Sequence, residues 1–487
     1  MKLNRRNFIE LTSKGIIMST LAPAFFMHPQ TGKDTQAKNI LDENDANDWV
    51  NYFSNFTETY RLFGDNICRR ELECLKLQLP RQACKILPED VLAGRVELLP
   101  IGFTPQSDSG SLAYYIHSDK TERLINEPSL SSENRKTLTQ LKDFWEKEDT
   151  KVKVRNAYPE DMKAALPSDN WNGESGIAFP LYRMGGVYLD IKKLVKLGLP
   201  GLKKQALQKA SAANDSAKEL FHAMAEMTDV ISKLCLQFAE MAAADDSQTN
   251  DLERRVELMD MEERLRKIAV QKPETFKEAV QLAFLYTQFS GTFNYGRYDD
   301  VFGEFYVRDL EKGILTEKEA TRYIESMFQI IDDRGNVFDS RVFVGGRGRE
   351  NEPAADKLAL VLMQAHHNLK NVTPQFSLRF YDGQNPALWG KALDMIGDGC
   401  TFPILYNDDV NIPAVQHAFQ LPYEEAQHYM PFGCGEYVIN HASVGTPSGV
   451  INLLQGLLVT LNNGVNPNNK KKMGVPGLEN TQYNSFD

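Results

Sequence analysis

The sequence predicts an α/β protein: a mainly helical N-terminal part leads into a part where strands and helices alternate. Three observations predict it. Residues 216–244 contain no glycine or proline, and Leu220, Met224, Met227, Ile231, Leu234 and Phe238 recur at spacings of 4, 3, 4, 3 and 4, which is one buried face of an amphipathic helix. Beyond Asn294, short apolar runs alternate with helical segments, the texture of α/β architecture. The 487 residues are 42% hydrophobic and 25% charged, a globular balance with enough chain for a large core. No repeat with a period of 20 to 50 residues suggests a solenoid.

The elements follow in order. Trp49 to Leu79 reads as helical and is expected to end at Pro80. Gly94 to Phe103 reads as extended, and residues 104–175 are mixed and rich in turn formers. The helix of Ser216 to Ala244 carries Glu226, Asp229, Lys233 and Glu240, which exclude a membrane span. Cys235 beside its apolar face is expected to be a core thiol. Further helices are expected over Leu252–Val270 and from Pro273 to Phe289, with their methionines as core filler. Arg341–Val344 and Phe376–Phe380 read as strands; Lys357–Asn368 and Pro386–Met395 read as helices.

Acidic residues outnumber basic ones 66 to 55, giving a net charge of −11, the opposite of a nucleic-acid binder. The basic run Lys470-Lys471-Lys472 lies among Asn, Gly and Pro and reads as a solvated loop. The six cysteines form no C-x-x-C pair and the eight histidines no zinc-finger spacing. No structural zinc site and no disulfide scaffold are expected. His366 and His367 are adjacent on a helical run and face apart, so no shared metal is expected. Gly345-Gly346-Arg347-Gly348-Arg349 lacks a following Lys-Ser/Thr and reads as a turn rather than a phosphate cradle.

The N-terminus carries Arg5-Arg6 ahead of Phe8-Ile9, then an uncharged stretch from Gly15 to Met27 with Ala22-Pro23-Ala24 near its end. The stretch is too short to span a bilayer as a mature helix and suits a cleavable signal of twin-arginine type. The expected organisation is a signal segment over 1–29, a polar linker over 30–48, a mainly helical part over 49–290 and an α/β part over 291–487. A periplasmic or exported location follows, or a cytoplasmic one if the signal is not used.

Chemistry points to Pro431-Phe432-Gly433-Cys434-Gly435-Glu436-Tyr437. Glycines on both sides of one cysteine give an accessible, sharply turning backbone. In extended chain, Cys434 and Glu436 would share a face. A neighbouring carboxylate raises a thiol pKa, which favours a neutral S–H donor over a thiolate. A packed cysteine in a glycine-rich turn is the plain alternative.

Several blocks in order resemble the glycyl radical enzymes, the pyruvate formate-lyase-like family. Gly296-Arg297-Tyr298-Asp299 with Asp309-Leu310-Glu311-Lys312-Gly313 is similar to its GRxD segment and the stretch after it. Gly345-Gly346 and the run Pro374 to Arg379 resemble the block before its active-site region. Gly397 to Pro403 with Tyr406-Asn407-Asp408-Asp409 resembles its G-x-G…P…NDE stretch, and Gly433-Cys434-Gly435-Glu436 resembles its G-C-x-E.

The resemblance implies an α/β barrel of ten strands in two half-sheets, with a finger loop carrying Cys434 as the thiyl residue and Glu436 as general base. It implies a small-molecule substrate and a homodimer. Read by themselves, Arg379 at a strand end is a candidate contact for a substrate carboxylate or one half of a structural ion pair, and Asn407 and Asp408, followed by Asp409, are candidate substrate or cation contacts or a turn or helix cap. The resemblance implies no bound cofactor or metal: a protein glycyl radical is installed by a radical S-adenosylmethionine activating enzyme. Gly433 and Gly435 leave no adjacent cysteine pair, so the single-cysteine eliminase or dehydratase branch, or a decarboxylase, is the better match.

Three departures stand out. The family's C-terminal RVxG-type radical segment is absent from the 487 residues, so the glycine radical domain is expected to be missing and the chain a fragment, inactive by itself. Gly186 stands where dehydratase relatives carry a histidine. An export signal is unusual on an oxygen-sensitive enzyme. The competing expectations are an exported, non-catalytic relative that uses the barrel as a binding scaffold, and a cysteine hydrolase, which would need His428 or His441 as base.

Overall fold

The computed structural model describes residues 46–104, 113–159, 178–180, 188–290, 294–335, 340–432, 435–440, 442–443, 449–467, 470 and 472. The signal segment, most of the linker, Gly186, Cys434, His441 and the C-terminal polar run lie outside the described residues. The rest begins with two helices, α1 (Ala46–Leu62) and α2 (Ile67–Gln82). One helix was expected here. Gly64 and Asp65 interrupt it and Asn66 restarts it, its side chain accepting the Arg69 N–H, as N-cap asparagines do. Pro80 lies inside the last turn of α2 rather than ending it.

The segment read as extended forms only a three-residue strand, β1 (Ile101–Phe103), paired antiparallel with β2 (Tyr114–Ile116). Helices α3 (Ser118–Ile125), α4 (Ser132–Glu148) and α5 (Thr150–Ala157) follow. Here Trp145 of α4 packs against Phe56 and Tyr60 and donates to Thr57 Oγ1 at 2.8 Å. A short strand, β3 (Ala178–Pro180), comes next.

The helical body consists of α6 (Ile191–Ser211), α7 (Asp215–Gln248), α8 (Leu252–Val270) and α9 (Phe276–Phe289). Gly198 kinks α6 at φ +65°, and a Cβ there would lie 2.6 Å from Lys272 Cα, so only glycine fits. On α7 the C-terminal half of the expected stripe is buried, with Ile231, Leu234, Cys235 and Phe238 inside; Leu220 and Met224 are exposed. The methionine expectation splits the same way: Met261 is fully buried, whereas Met224 and Met259 face solvent. Burial pushes the Cys235 thiol up to about 12, as expected of a core thiol.

Strands β4 (Gly296–Arg297), β5 (Arg341–Gly345), β6 (Gln375–Phe380) and β7 (Ile404–Asn407) form one parallel sheet in the order β4-β5-β6-β7. Parallel neighbours need helical crossovers. These are α10 (Tyr298–Glu311) and α11 (Glu317–Asp333), then α12 (Glu352–Leu369), then α13 (Pro386–Gly397). After β7 come α14 (Asp408–Phe419), the single turn α15 (Tyr423–Ala426) and a hairpin of β8 (Tyr429–Phe432) and β9 (Glu436–Ile439). Strand β10 (Gly449–Ile451) pairs with β3, and α16 (Leu453–Leu461) follows.

The sheet has two unlike faces. Val342, Val344, Phe376 and Leu378 point into the main hydrophobic cluster with Leu234, Phe238 and Phe284 of the helical body. Register places Arg297 beside Phe343, Phe343 beside Ser377, and Arg379 beside Tyr406 on the opposite face. That face is polar, and the hairpin packs on it.

Candidate functional site

On the polar face, Phe343 forms a small cluster with Met430 of β8 and Val438 of β9, with Tyr188 packed alongside. The Tyr188 hydroxyl donates to the Pro431 carbonyl at 2.6 Å. The hairpin pairs Tyr429 with Ile439 and Phe432 with Glu436, so residues 433–435 connect its strands. Glu436 begins β9 and its side chain is exposed. Gly435 has φ +120°, so the backbone is not extended there and the alternation argument for Cys434 and Glu436 does not carry across the turn. The nearest atom to a Cβ placed on Gly435 is the Tyr406 hydroxyl, at 3.7 Å. Burial raises the Tyr406 pKa; Arg341 opposes the rise and Glu436 adds to it. Arg341 and Glu436 thus each sit within electrostatic reach of Tyr406.

Arg379 and Asp408 meet each other rather than an open site. Arg379 Nε donates to Asp408 Oδ1 at 2.9 Å and Nη2 to Oδ2 at 2.8 Å, and both side chains are fully buried. Arg379 also donates to the carbonyls of Tyr429 and Gln427, each at 3.0 Å. The Tyr429 hydroxyl donates to Asp408 Oδ1 at 2.6 Å, and the Arg379 guanidinium lies 4.0 Å from the Tyr429 ring centre. Burial raises the Tyr429 pKa, with Arg379 opposing. The third candidate contact, Asn407, caps α14 by accepting the Asp409 N–H at 3.0 Å.

The glycine-arginine segment after β5 is a turn held from both sides. The Gly345 N–H donates to Asp299 Oδ2 at 2.8 Å and the Arg347 N–H to Asp408 Oδ2 at 2.7 Å. Its carbonyls accept from Arg297, at Gly345 (2.7 Å) and Arg347 (2.9 Å), and from Arg349 at Gly346 (2.9 Å). Two N–H groups that a phosphate cradle would offer are already bound to carboxylates. A Cβ on Gly346, at φ +79°, would lie 2.6 Å from Arg379 Cβ, so glycine lets the turn close on the ion pair. Burial, with Arg379 nearby, lowers Arg297 to about 10; burial raises Asp299 against the pull of Arg349 and Arg297.

His428 precedes β8, and its pKa is lowered by burial and by Arg297 and Arg379, leaving a neutral imidazole at pH 7. His366 is buried under the sheet with Nε2 at 3.2 Å from the Pro374 carbonyl, while His367 points away to Asp398 at 2.9 Å. Among the described residues no group of three or more His, Cys, Asp or Glu is placed to hold a metal ion. The sequence places Tyr406 in a motif and Arg341 at a strand start but assigns neither to the site, and it assigns no role to Tyr429. Tyr429 stands two residues before the motif at Pro431, and only its contact with Asp408 distinguishes it from a core tyrosine.

A family model described as pyruvate formate lyase-like matches residues 28–487. The trans-4-hydroxy-L-proline dehydratase of Clostridioides difficile is 23% identical over 389 residues, which cover 74% of this chain and 48% of that one. The isethionate sulfite-lyase of Nitratidesulfovibrio vulgaris is 27% identical over 304 residues, covering 56% of this chain and 37% of that one. A solved structure on 1,2-propanediol dehydration in Roseburia inulinivorans superposes with a TM-score of 0.71 at 20% identity, covering 87% of this chain and 56% of that chain. The chain therefore spans about half the length of the relatives it matches.

Proposed function

The chain belongs to the pyruvate formate lyase-like family, and from that premise we propose that it is the cysteine-bearing part of a glycyl radical eliminase acting on a small molecule with a hydroxyl beside its leaving group. The observation that carries this reading is the hairpin β8–β9 with Glu436, seated on the polar face of a parallel sheet and joined by the residues that include Cys434. The dehydratases and the sulfite-lyase among its relatives support the reaction class.

The family's glycyl radical, installed by an S-adenosylmethionine-dependent activating enzyme, would take the hydrogen atom of the Cys434 S–H and leave a thiyl. Cys434 then takes a hydrogen atom from the substrate carbon that bears the hydroxyl. Glu436 accepts the hydroxyl proton, and the resulting ketyl expels the group on the neighbouring carbon. The product radical recovers a hydrogen atom from the Cys434 S–H. Exclusion of water and close alignment of the reacting atoms are what a protein contributes to such a step.

The test supplies the chain with its activating enzyme and with a polypeptide bearing an RVxG-type radical segment, fused or separate. A glycyl radical signal in electron paramagnetic resonance and turnover of a vicinal diol, amino alcohol or hydroxysulfonate are expected. Cys434→Ser should abolish turnover and keep the signal, because an alcohol O–H is too strong to relay the hydrogen atom. Glu436→Gln should keep the signal and slow elimination by about 10²–10⁴-fold. Normal turnover with serine at 434 would overturn the thiyl role.

A second reading, an exported non-catalytic relative that binds a ligand on the same face, draws on Arg5-Arg6 ahead of the apolar stretch. Replacing both arginines with lysine should hold the protein in the cytoplasm. An unchanged exported yield rules out the twin-arginine route.

A further inference from the structure

We infer that Arg379, Asp408 and Tyr429 form a positioning clamp that fixes the hairpin β8–β9 against the parallel sheet and so sets where Glu436 is presented. The inference rests on the proposed reading of that hairpin as the active-site finger. It assigns the three residues to positioning, not to substrate contact.

The hairpin needs such a device. It is a two-stranded sheet of its own, not part of the β4-β5-β6-β7 ladder. Four residue pairs and one further backbone bond, from the Asn440 N–H to the His428 carbonyl, hold its strands together, and an isolated hairpin is marginal in water. Its packing on Phe343 through Met430 and Val438 is apolar, and apolar burial is non-directional. Direction has to come from hydrogen bonds.

The three residues supply them from three elements. Arg379 projects from β6, Asp408 begins α14 and Tyr429 begins β8. Arg379 reaches past the carboxylate to the carbonyls of Gln427 and Tyr429, where the chain enters the hairpin. Tyr429 returns its hydroxyl to the same carboxylate, and Asp408 Oδ2 also accepts the Arg347 N–H of the glycine turn. The carboxylate thus ties the guanidinium, the phenol and the turn together with its side chain wholly out of water. Charge-assisted bonds in that setting are strong and geometrically selective. A lateral error of about 1 Å at reacting groups costs on the order of 10²-fold in rate, so a clamp one element away from the chemistry has leverage over it.

The test uses Tyr429→Phe, which removes one O–H and keeps the ring, and Arg379→Lys, which keeps the charge and loses the fork. Hydrogen exchange on the 487-residue chain, followed by mass spectrometry, compares amides 429–439 with amides 252–289 of the helical body. Both variants should exchange about tenfold faster in the hairpin and unchanged in the helices. Unchanged hairpin exchange overturns the clamp. Equal acceleration in both regions also overturns it, by reducing the residues to general stabilisers.

In the turnover assay, Tyr429→Phe should lower kcat about tenfold with KM unchanged. A raised KM at constant kcat would make these residues substrate contacts and overturn the positioning role. If the hairpin loosens as expected but no turnover is ever obtained, the proposed reaction fails while the clamp on the hairpin stands.

Discussion

The helical body and the polar face of the sheet both exclude water, but they fill their interiors differently. Between α7, α8 and α9 the buried side chains are mainly apolar, including Leu234, Phe238, Met261, Leu265 and Phe284, while ion pairs such as Lys203–Asp229 stay at the surface. Under the hairpin, Arg379–Asp408 and Arg349–Asp299 are fully buried ion pairs. Burial of area stabilises the first region and tolerates small shifts. The second depends on each charge keeping its partner, because a buried charge left alone is costly. A fold that only needed stability would have little use for the second arrangement; a surface that must hold a hairpin at a defined position does.

Breaking the ion pair is expected to give the largest effect. Asp408→Ala leaves Arg379 buried without its counter-charge and also strips an acceptor from Tyr429 and from the Arg347 N–H. A loss of about 3–5 kcal/mol is expected, read from urea unfolding. The comparison is sharpened by the double variant Arg379→Met with Asp408→Leu. It should recover much of that loss, since no charge is left unpaired, yet leave the hairpin loose in hydrogen exchange. Full recovery of both would mean that the pair serves stability alone.

The contrast also explains what the sequence disclosed. The bounds of α8 were legible to the residue and those of α7 and α13 to within four, because apolar periodicity and caps mark them directly; α12 begins at Glu352, five residues before the expected Lys357. Cys235 was legible as a core thiol for the same reason. The exposed Leu220 and Met224 were not, because periodicity gives a stripe's direction but not where its covering neighbour stops. Strand β7 and helix α14 were read only as part of a motif, since Ile404–Asn407 is too short for a pattern. Arg379 and Asp408 were picked out as chemistry-bearing residues, but their pairing lies in tertiary space 29 positions apart. Tyr429 stood in the run leading into the cysteine motif, but nothing local marked its bond to Asp408.

In the helical body, Leu234→Ala should cost about 2–5 kcal/mol by creating a cavity among packed side chains. It should lower the unfolding midpoint without selectively speeding exchange in residues 429–439. Selective loosening of the hairpin by this change would erase the distinction between the two regions, because it would make apolar packing the determinant of hairpin position.

His366 lies between them, on a helix but against the sheet strand that carries Arg379. Burial lowers its pKa from 6.5 to about 4, partly offset by the Pro374 carbonyl. The unfolded chain therefore takes up a proton below about pH 6.5 that the folded chain refuses until about pH 4. The His366 contribution is complete above pH 6.5, falls as the pH drops through that window and levels off below it. Its full span is about 3 kcal/mol on the scale of 1.36 kcal/mol per unit. Unfolding midpoints from pH 7 to pH 5 should fall more steeply for the native sequence than for His366→Gln. Parallel slopes would show that His366 is not the titrating group.

The smallest effect tests redundancy at a helix start in the apolar region. Thr275 caps α9 in a reciprocal box: its hydroxyl accepts the Glu278 N–H, and the Glu278 carboxylate accepts the Thr275 N–H. Two further bonds support the same turn. Glu278 also accepts the Glu274 N–H at 2.7 Å, and Asp309 Oδ2 accepts the Phe276 N–H at 2.6 Å. Thr275→Ala removes one acceptor and leaves three bonds in place, so the cost should sit near about 0.5–1 kcal/mol, the low end for a lost cap. Double substitution with Asp309→Ala should then cost more than the sum of the two single changes, because the two acceptors hold the Phe276 and Glu278 N–H groups of the same first turn. Strict additivity would show that the bonds act independently and that this end of α9 has no reserve. The polar face is arranged differently: there one carboxylate, that of Asp408, serves three partners, and the Gln427 and Tyr429 carbonyls that Arg379 also meets carry no counter-charge.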